Sequence, residues 1–120
     1  MPGKLRNTRK IKKTKNMIID HRTYTIQHGR SGEYLALFEK TGLPVQLKHL
    51  GDLVGYFMTA VGPLNEVVHL WRYTDYADME TRRAARDADP AWTEYKKLSA
   101  GMLVKQENKI IKPVSFSPMK

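Results

Sequence analysis

The sequence predicts an α+β domain of the ferredoxin-like type, in which a four-stranded antiparallel sheet carries helices on one face only. Two observations lead to this fold class. The predicted elements follow the order β, α, β, β, α, β, with a helical connection on each side of a central hairpin. The chain has 120 residues, which is an ordinary length for one domain.

The first strand is predicted over residues 17–27, where β-branched and aromatic residues dominate. Ser31 is the expected N-cap of the helix that follows, because its hydroxyl can accept a hydrogen bond from the first helical turn. Pro44 lacks an amide hydrogen and interrupts this helix. Residues 45–50 are therefore expected to form a second helical segment, set at an angle to the first.

Two apolar runs, residues 53–61 and 66–73, predict the second and third strands, joined by a Gly-Pro-Leu-Asn loop. Strict alternation sorts the first run into two apolar sets, Val54, Tyr56 and Met58 on one face and Leu53 and Phe57 on the other. A strand that is apolar on both faces must be covered on both, and a chain of this length supplies one layer of helices. We therefore expect a homodimer, with Tyr and Trp on the open face that the partner sheet buries.

Asp75 and Asp89 are the expected N-caps of two further helices, the first over residues 76–88 and the second starting at Pro90. The second helix carries an apolar core stripe of Trp92, Tyr95, Leu98 and Met102. The last strand is predicted over residues 103–112.

Three arginines of the helix over residues 76–88 allow two interpretations. Arg82, Arg83 and Arg86 could bind an anion, or they could belong to a solvated face on which Arg83 pairs with Asp87. We favour the solvated face, because acidic residues in the same region balance the arginines.

The net charge of +9 is concentrated at one end of the chain. Residues 1–16 hold seven basic residues and no acidic one, whereas residues 17–120 hold 14 basic and 12 acidic residues. We expect residues 1–16 to be a disordered basic arm and residues 17–120 to form the folded domain. The arm could contact nucleic acid, or it could be a solvated tail. It could also be sequence that precedes a translation start at Met17. We do not expect nucleic acid to be a partner of the domain.

The composition excludes several kinds of site. The absence of cysteine excludes disulfides, thiolate zinc sites, iron–sulfur clusters and a cysteine nucleophile. The sequence has no Gly-rich phosphate loop and no pair of histidines at metal-binding spacing. We therefore expect no cofactor and no metal. Residues 53–65 form the longest uncharged run, which is shorter than the roughly 20 residues of a membrane-spanning helix, so no transmembrane segment is expected.

The candidate site lies on the strands. Asp20, Arg22 and Tyr24 lie on one face of the first strand, because alternate residues of a strand point the same way. Asp20 and Arg22 could form a structural ion pair, or Arg22 and Tyr24 could together hold a small anion or carbonyl. His69 and Trp71 share one face of the third strand. His69 is the candidate catalytic base, and the candidate pocket consists of Arg22, Tyr24, Tyr56 and Trp71.

Several segments resemble the NIPSNAP family. They include the Arg-Thr-Tyr centre of the first strand, Gly-Leu-Pro-Val-Gln at 42–46, Leu-Val-Gly-Tyr-Phe at 53–57 and Ala-Asp-Pro-Ala-Trp at 88–92. Gln-Glu-Asn at 106–108 and Ser-Phe-Ser-Pro at 115–118 continue the match. The most specific segment is Gly-Pro-Leu-Asn-Glu-Val-Val-His-Leu-Trp at 62–71, and the resemblance covers essentially all of 17–120.

The resemblance implies a dimeric α/β-barrel, in which two ferredoxin-like subunits pack sheet to sheet. Related families include cofactor-independent monooxygenases and haem-binding enzymes, while NIPSNAP proteins themselves have no settled chemistry. We expect a binding or scaffold module that holds a small apolar ligand. The alternative is a monooxygenase-like or isomerase-like enzyme with an aromatic substrate between sheet and helices. A cytoplasmic location is expected for a bacterial chain and a mitochondrial one for a eukaryotic chain.

Overall fold

The structure is a computed structural model that describes residues 17–120. The basic arm predicted for residues 1–16 lies outside the described residues. Within residues 17–120, no helix combines the length and the apolar character that crossing a membrane requires.

Four antiparallel strands form one sheet in the order β2-β3-β1-β4. They are β1 (Ile18–Ile26), β2 (Asp52–Met58), β3 (Glu66–Tyr73) and β4 (Leu103–Ile111). The strands β1 and β3 therefore occupy the centre, although a helical connection and β2 separate them in sequence. This is the ferredoxin-like α+β arrangement predicted from the order of the elements.

The helices cover one face of the sheet. The first connection consists of α1 (Ser31–Leu37), a π-helical turn (Phe38–Gly42) and α2 (Leu43–His49), and the second consists of α3 (Tyr76–Asp87) and α4 (Pro90–Leu98). Alternate residues of β3 are buried beneath these helices: Val67, His69, Trp71 and Tyr73. The residues between them are half-buried on the opposite face, which the helices leave open.

The first connection is helical throughout residues 31–49 and differs in detail from its prediction. Arg30 is at the N-cap of α1 without a side-chain hydrogen bond, so the expectation that Ser31 caps this helix is wrong by one residue. Pro44 lies in the first turn of α2, where its missing amide hydrogen costs no helical bond. At Gly42 a Cβ atom would lie 2.8 Å from the Phe38 ring and 2.9 Å from the Tyr95 ring. Glycine therefore lets the π-helical turn pack against α4.

The predicted caps of the second connection are confirmed. Asp75 accepts a hydrogen bond from the Asp78 amide at 2.8 Å, and Asp89 accepts one from the Ala91 amide at 2.9 Å. Three members of the predicted core stripe on and after α4 are buried, namely Trp92, Tyr95 and Met102. The fourth member, Leu98, is 48% exposed because it lies at the last turn of the helix.

The two faces of β2 are not those that strict alternation predicted. The register against β3 shifts between Leu53 and Gly55, so that Val54 forms a β-bulge. As a result Leu53, opposite Trp71, and Tyr56, opposite His69, share the helix-covered face. The strand also ends at Met58 rather than at residue 61.

The open face of the sheet carries different side chains from those expected. Tyr and Trp residues of β1, β2 and β3 face the helices, so the expectation that they lie on the open face is wrong. The open face instead presents Phe57 beside Val68 and Leu70, with Phe57 56% exposed. Towards β4 the same face becomes polar and includes His21, Thr23, Glu107 and Lys109.

Candidate functional site

A cavity of about 420 Å³ lies between the helix-covered face of the sheet and the helices. Its volume is within the range of small-molecule sites, roughly 300–1,000 Å³. The cavity touches both Arg22 and His69. Its lining combines strand residues with aromatic residues of α1 and α4 and with basic residues of α3 and α4.

His69 lies in an aromatic enclosure in the middle of this face. Its ring stacks on Tyr56 with centroids 4.6 Å apart, and Tyr24 meets it edge-on at 4.7 Å. Trp71 is perpendicular to it at 6.3 Å. The enclosure leaves His69 only 1% exposed.

One hydrogen bond determines which nitrogen of His69 carries the proton. The Trp71 indole Nε1 donates to His69 Nδ1 at 2.7 Å, and an indole nitrogen can only donate. His69 Nδ1 therefore accepts, and the neutral ring carries its proton on Nε2. Nε2 is buried and has no hydrogen-bond partner within the described part of the chain. Burial, with a smaller contribution from the Arg22 charge, lowers the pKa of His69 to about 3, so the ring is neutral near pH 7.

Arg22 is held by its neighbours on β1. Its Nη1 donates to Asp20 at 2.9 Å, and its Nε donates to the Tyr24 hydroxyl at 2.8 Å. Asp20 is 1% exposed and also accepts from the Asn108 amide at 3.1 Å. The Asp20–Arg22 ion pair considered from the sequence is present, and it fixes Tyr24 against His69.

The structure thus brings together all five residues proposed from the sequence. Arg22 is opposite His69 in the β1–β3 register, and Tyr56 is opposite His69 in the β2–β3 register. Trp71 is two residues further along β3 on the same face. Arg22, Tyr24 and His69 line the cavity, while Tyr56 and Trp71 support the His69 ring from behind.

The helices contribute residues that the sequence analysis did not assign to the site. Tyr95 of α4 donates its hydroxyl hydrogen to the Tyr34 hydroxyl of α1 at 3.1 Å, and burial raises the pKa of Tyr34 far above its usual value. Gln46 of α2 is 4% exposed, and its Oε1 has no partner among the described residues. The sequence indicates a core position for Tyr95 and no site role for Tyr34 or Gln46. Hydrophobic periodicity gives the buried face of a helix but not the position of that helix over the sheet.

The mouth of the cavity is basic. Arg86 is stacked on Trp92, with the guanidinium carbon 4.6 Å from the ring centroid, and it pairs with Asp87 at 3.0 Å. The predicted Arg83–Asp87 pair is therefore wrong, since Asp87 contacts Arg86 instead. Arg83 and Lys96 also line the cavity, and neither forms an ion pair within residues 17–120.

The chemistry of the arrangement comes from a buried hydrogen-bond donor and the aromatic rings around it. Among the described residues, no three His, Asp or Glu side chains converge as a metal site would require. The buried His69 Nε2–H offers a hydrogen bond to an oxygen, and aromatic rings enclose the space around it. A neutral donor in a site of low dielectric constant stabilises negative charge on that oxygen.

A protein-family model described as NIPSNAP matches residues 19–118. The chain belongs to the NIPSNAP family. A NipSnap homologue from Dictyostelium discoideum is 33% identical over 105 residues, which is 88% of this chain and 46% of that protein. Human NipSnap homologue 3A is 30% identical over 93 residues, covering 76% of this chain and 37% of that protein. The chain thus spans less than half the length of these curated relatives.

Similar solved structures come from bacteria. A NIPSNAP-like domain protein from Burkholderia xenovorans is 44% identical, with a TM-score of 0.81, 87% of this chain covered and 90% of that one. A NIPSNAP family protein of unknown function from Agrobacterium tumefaciens is 40% identical, with a TM-score of 0.84 and coverage of 88% and 96%. Neither of these two proteins has an assigned function.

More distant structures share the fold alone. A cofactor-independent oxygenase from Streptomyces nogalater is 14% identical, with a TM-score of 0.57 over 86% of this chain and 98% of that one. This likeness confirms the ferredoxin-like architecture and leaves the chemistry of the NIPSNAP chain open.

Proposed function

We propose that this NIPSNAP chain is a small-molecule-binding module whose ligand occupies the cavity between the sheet and the helices. The observation that carries the proposal is the unpartnered His69 Nε2–H. A buried donor without a partner costs about 1–3 kcal/mol, and a ligand oxygen at this point would recover that free energy. A scaffold module would instead be expected to fill this interior with side chains.

We also propose that the chain acts as a homodimer joined through the open face of its sheet. Support comes from Phe57, which lies 56% exposed beside half-buried Val68 and Leu70 on a face that no helix covers. Large apolar side chains in such a cluster are typical of an interface. A cytoplasmic location is proposed because the similar solved chains are bacterial and of comparable length.

An enzyme of the isomerase or cofactor-independent oxygenase type is the second candidate. The observation in its favour is the neutral His69 donor next to the positive charge of Arg22. Such a donor would stabilise an enolate-like oxygen as charge develops on it. In this tautomer Nε2 already carries its proton, so His69 would polarise the substrate, whereas the base role proposed from the sequence would require the opposite tautomer.

A cavity-blocking variant tests the binding proposal. Gln106 lies on the exposed rim of the cavity, so Gln106→Phe should close it with little effect on folding, while Lys105→Phe on the other face of β4 is the matched control. The probes are phenol, indole and 4-hydroxybenzamide. Binding is followed by the two tryptophan indole N–H signals in ¹⁵N-labelled protein, because the tryptophans, Trp71 and Trp92, contact His69 and the cavity respectively.

We expect at least one neutral probe to shift both indole signals in the native chain and in Lys105→Phe. The same probe should leave them unchanged in Gln106→Phe. The proposal is contradicted if no probe shifts the signals, or if the shifts persist unchanged when the mouth is closed.

A further inference from the structure

The distribution of charge around the cavity is uneven. Four basic side chains line it, Arg22, Arg83, Arg86 and Lys96, against one acidic side chain, Asp87. The domain as a whole is nearly balanced, with 14 basic and 12 acidic residues over 17–120. The excess of positive charge at the cavity is therefore a local property.

Two of these basic side chains are already neutralised. Arg22 is paired with Asp20 at 2.9 Å, and Arg86 is paired with Asp87 at 3.0 Å. Arg83 and Lys96 have no carboxylate partner within residues 17–120, and they approach the mouth from different helices, α3 and α4. Their charge is available to a ligand that enters between these helices.

The interior of the cavity has a different character. Its walls are aromatic, with Tyr34 and Phe38 from the first helical connection and Trp92 and Tyr95 from α4. A flat apolar body fits such walls, since aromatic rings favour stacked or edge-on neighbours. His69 also lines the cavity, and its fully buried Nε2–H is unpartnered and can donate to an oxygen.

We propose that the cavity binds a small aromatic carboxylate. Arg83 and Lys96 hold its carboxylate group at the mouth, and an oxygen at its far end accepts a hydrogen bond from His69 Nε2. This inference rests on the proposed binding function and specifies its ligand class. The cavity volume of about 420 Å³ suits a ligand of one or two rings. A guanidinium can bind a carboxylate through two parallel hydrogen bonds, which makes Arg83 the orienting contact.

A matched pair of probes isolates the charge. 4-Hydroxybenzoate and 4-hydroxybenzamide have nearly the same shape and the same hydroxyl oxygen, but only the first is an anion at pH 7. Titrations of both follow the Trp71 and Trp92 indole signals in the full chain, in the double variant Arg83→Met/Lys96→Met, and in Lys97→Met. Lys97 is an exposed neighbour of Lys96 that does not line the cavity, so it controls for general loss of charge.

In the native chain and in Lys97→Met, the acid should bind about tenfold more tightly than the amide, the ratio that one charge-assisted hydrogen bond provides. The preference should disappear in the double variant, and added salt should reduce it in the native chain. Equal binding of acid and amide in the native chain would overturn this inference and leave the binding function standing. Failure of both probes to move either signal would overturn this inference, and the binding function would fall with it only if phenol and indole also left the signals unchanged.

Binding of the acid that survives unchanged in the double variant would also reject the role of Arg83 and Lys96. Circular dichroism of each variant establishes that the fold is retained. Both substitutions are at partly or fully exposed positions and replace charge with an unbranched apolar chain, so folding is expected to persist.

Discussion

A single hydrogen bond, from the Trp71 indole to His69 Nδ1, sets the chemistry of the buried imidazole. The donor fixes the tautomer, and the aromatic enclosure formed with Tyr24 and Tyr56 keeps water from the ring. The outcome is a neutral, unpartnered donor on a residue that lines the cavity. The same residue in a solvated site would titrate near its ordinary pKa and could serve as a base.

This environment predicts a dependence of stability on pH. The pKa of His69 is about 3 in the folded chain and 6.5 in the reference state, so the unfolded chain binds more protons between these values. Stability should therefore fall as pH decreases from 6.5, by up to about 1.4 kcal/mol per pH unit from this residue. His69→Gln should flatten the slope between about pH 6.5 and pH 5, where carboxylates contribute less.

The free energy of unfolding from urea denaturation at several pH values measures this slope. His28→Gln, in the exposed turn after β1, is the matched control for the loss of one histidine. If His69→Gln and the native chain lose stability in parallel, the buried neutral imidazole is ruled out.

At the level of residues, the sequence predicts the site residues that lie on the strands but not those that lie on the helices. Alternation along β1 and β3 placed Tyr24 and His69 on definite faces, and the topology made these strands neighbours. Nothing in the sequence fixes how a helix is positioned over a sheet. The sequence alone therefore does not assign Tyr34 and Arg83 to the cavity.

At the level of elements, two local irregularities decide which side chains meet at the site. The bulge at Val54 reverses the alternation of β2 so that both Leu53 and Tyr56 face the helices. The π-helical turn ends at Gly42, where the missing side chain leaves room for Phe38 and Tyr95, whose ring centroids are 5.8 Å apart. Pro44 predicts an interruption of the first connection, but neither the π-helical turn nor the bulge itself is predicted, because each inserts a residue into an otherwise regular pattern.

The capping residue Asp89 links two of the helices and predicts a measurable effect on stability. One carboxylate oxygen accepts from the Ala91 amide at 2.9 Å, and the other contacts His49 Nε2 on α2 at 2.8 Å. Asp89→Ala removes both contacts and should lower Tm by about 4 °C or more. Asp89→Asn keeps the cap and should lower Tm by less.

Thermal unfolding of the two variants, followed by circular dichroism, compares the effects. Equal Tm values for the native chain and Asp89→Ala would mean that neither the cap nor the contact with α2 stabilises the domain. Equal loss in both variants would assign the effect to the charge rather than to the cap.

At the level of the whole molecule, the sheet has one face covered by helices and one face open. The strand β3 is apolar on both faces, with Val67 and Trp71 under the helices and Val68 and Leu70 on the open face, whereas the expectation that Tyr and Trp lie on the open face is wrong. The open face is apolar on β2 and β3 and polar towards β4. Pairing of two such faces in a dimer would bury the apolar half of each sheet.

Adjacent residues of β2 provide a matched test of this dimer. Phe57 is 56% exposed on the open face, and Met58 is 61% exposed on the other. Light scattering coupled to size-exclusion chromatography should give a dimer for the native chain and for Met58→Glu, and a monomer for Phe57→Glu. A monomeric native chain, or a dimeric Phe57→Glu variant, would contradict the proposed interface.

The state of the His69 ring in the intact chain is the most direct test of the proposed site. Protein labelled with ¹⁵N at histidine, with His69→Gln for assignment, reports which ring nitrogen carries the proton from about pH 5 to pH 8. We expect the proton on Nε2 throughout this range, an unprotonated Nδ1, and a shift at Nε2 when 4-hydroxybenzoate is added. A proton on Nδ1, or titration of the ring near its ordinary pKa, would contradict the neutral donor on which the proposed ligand site depends.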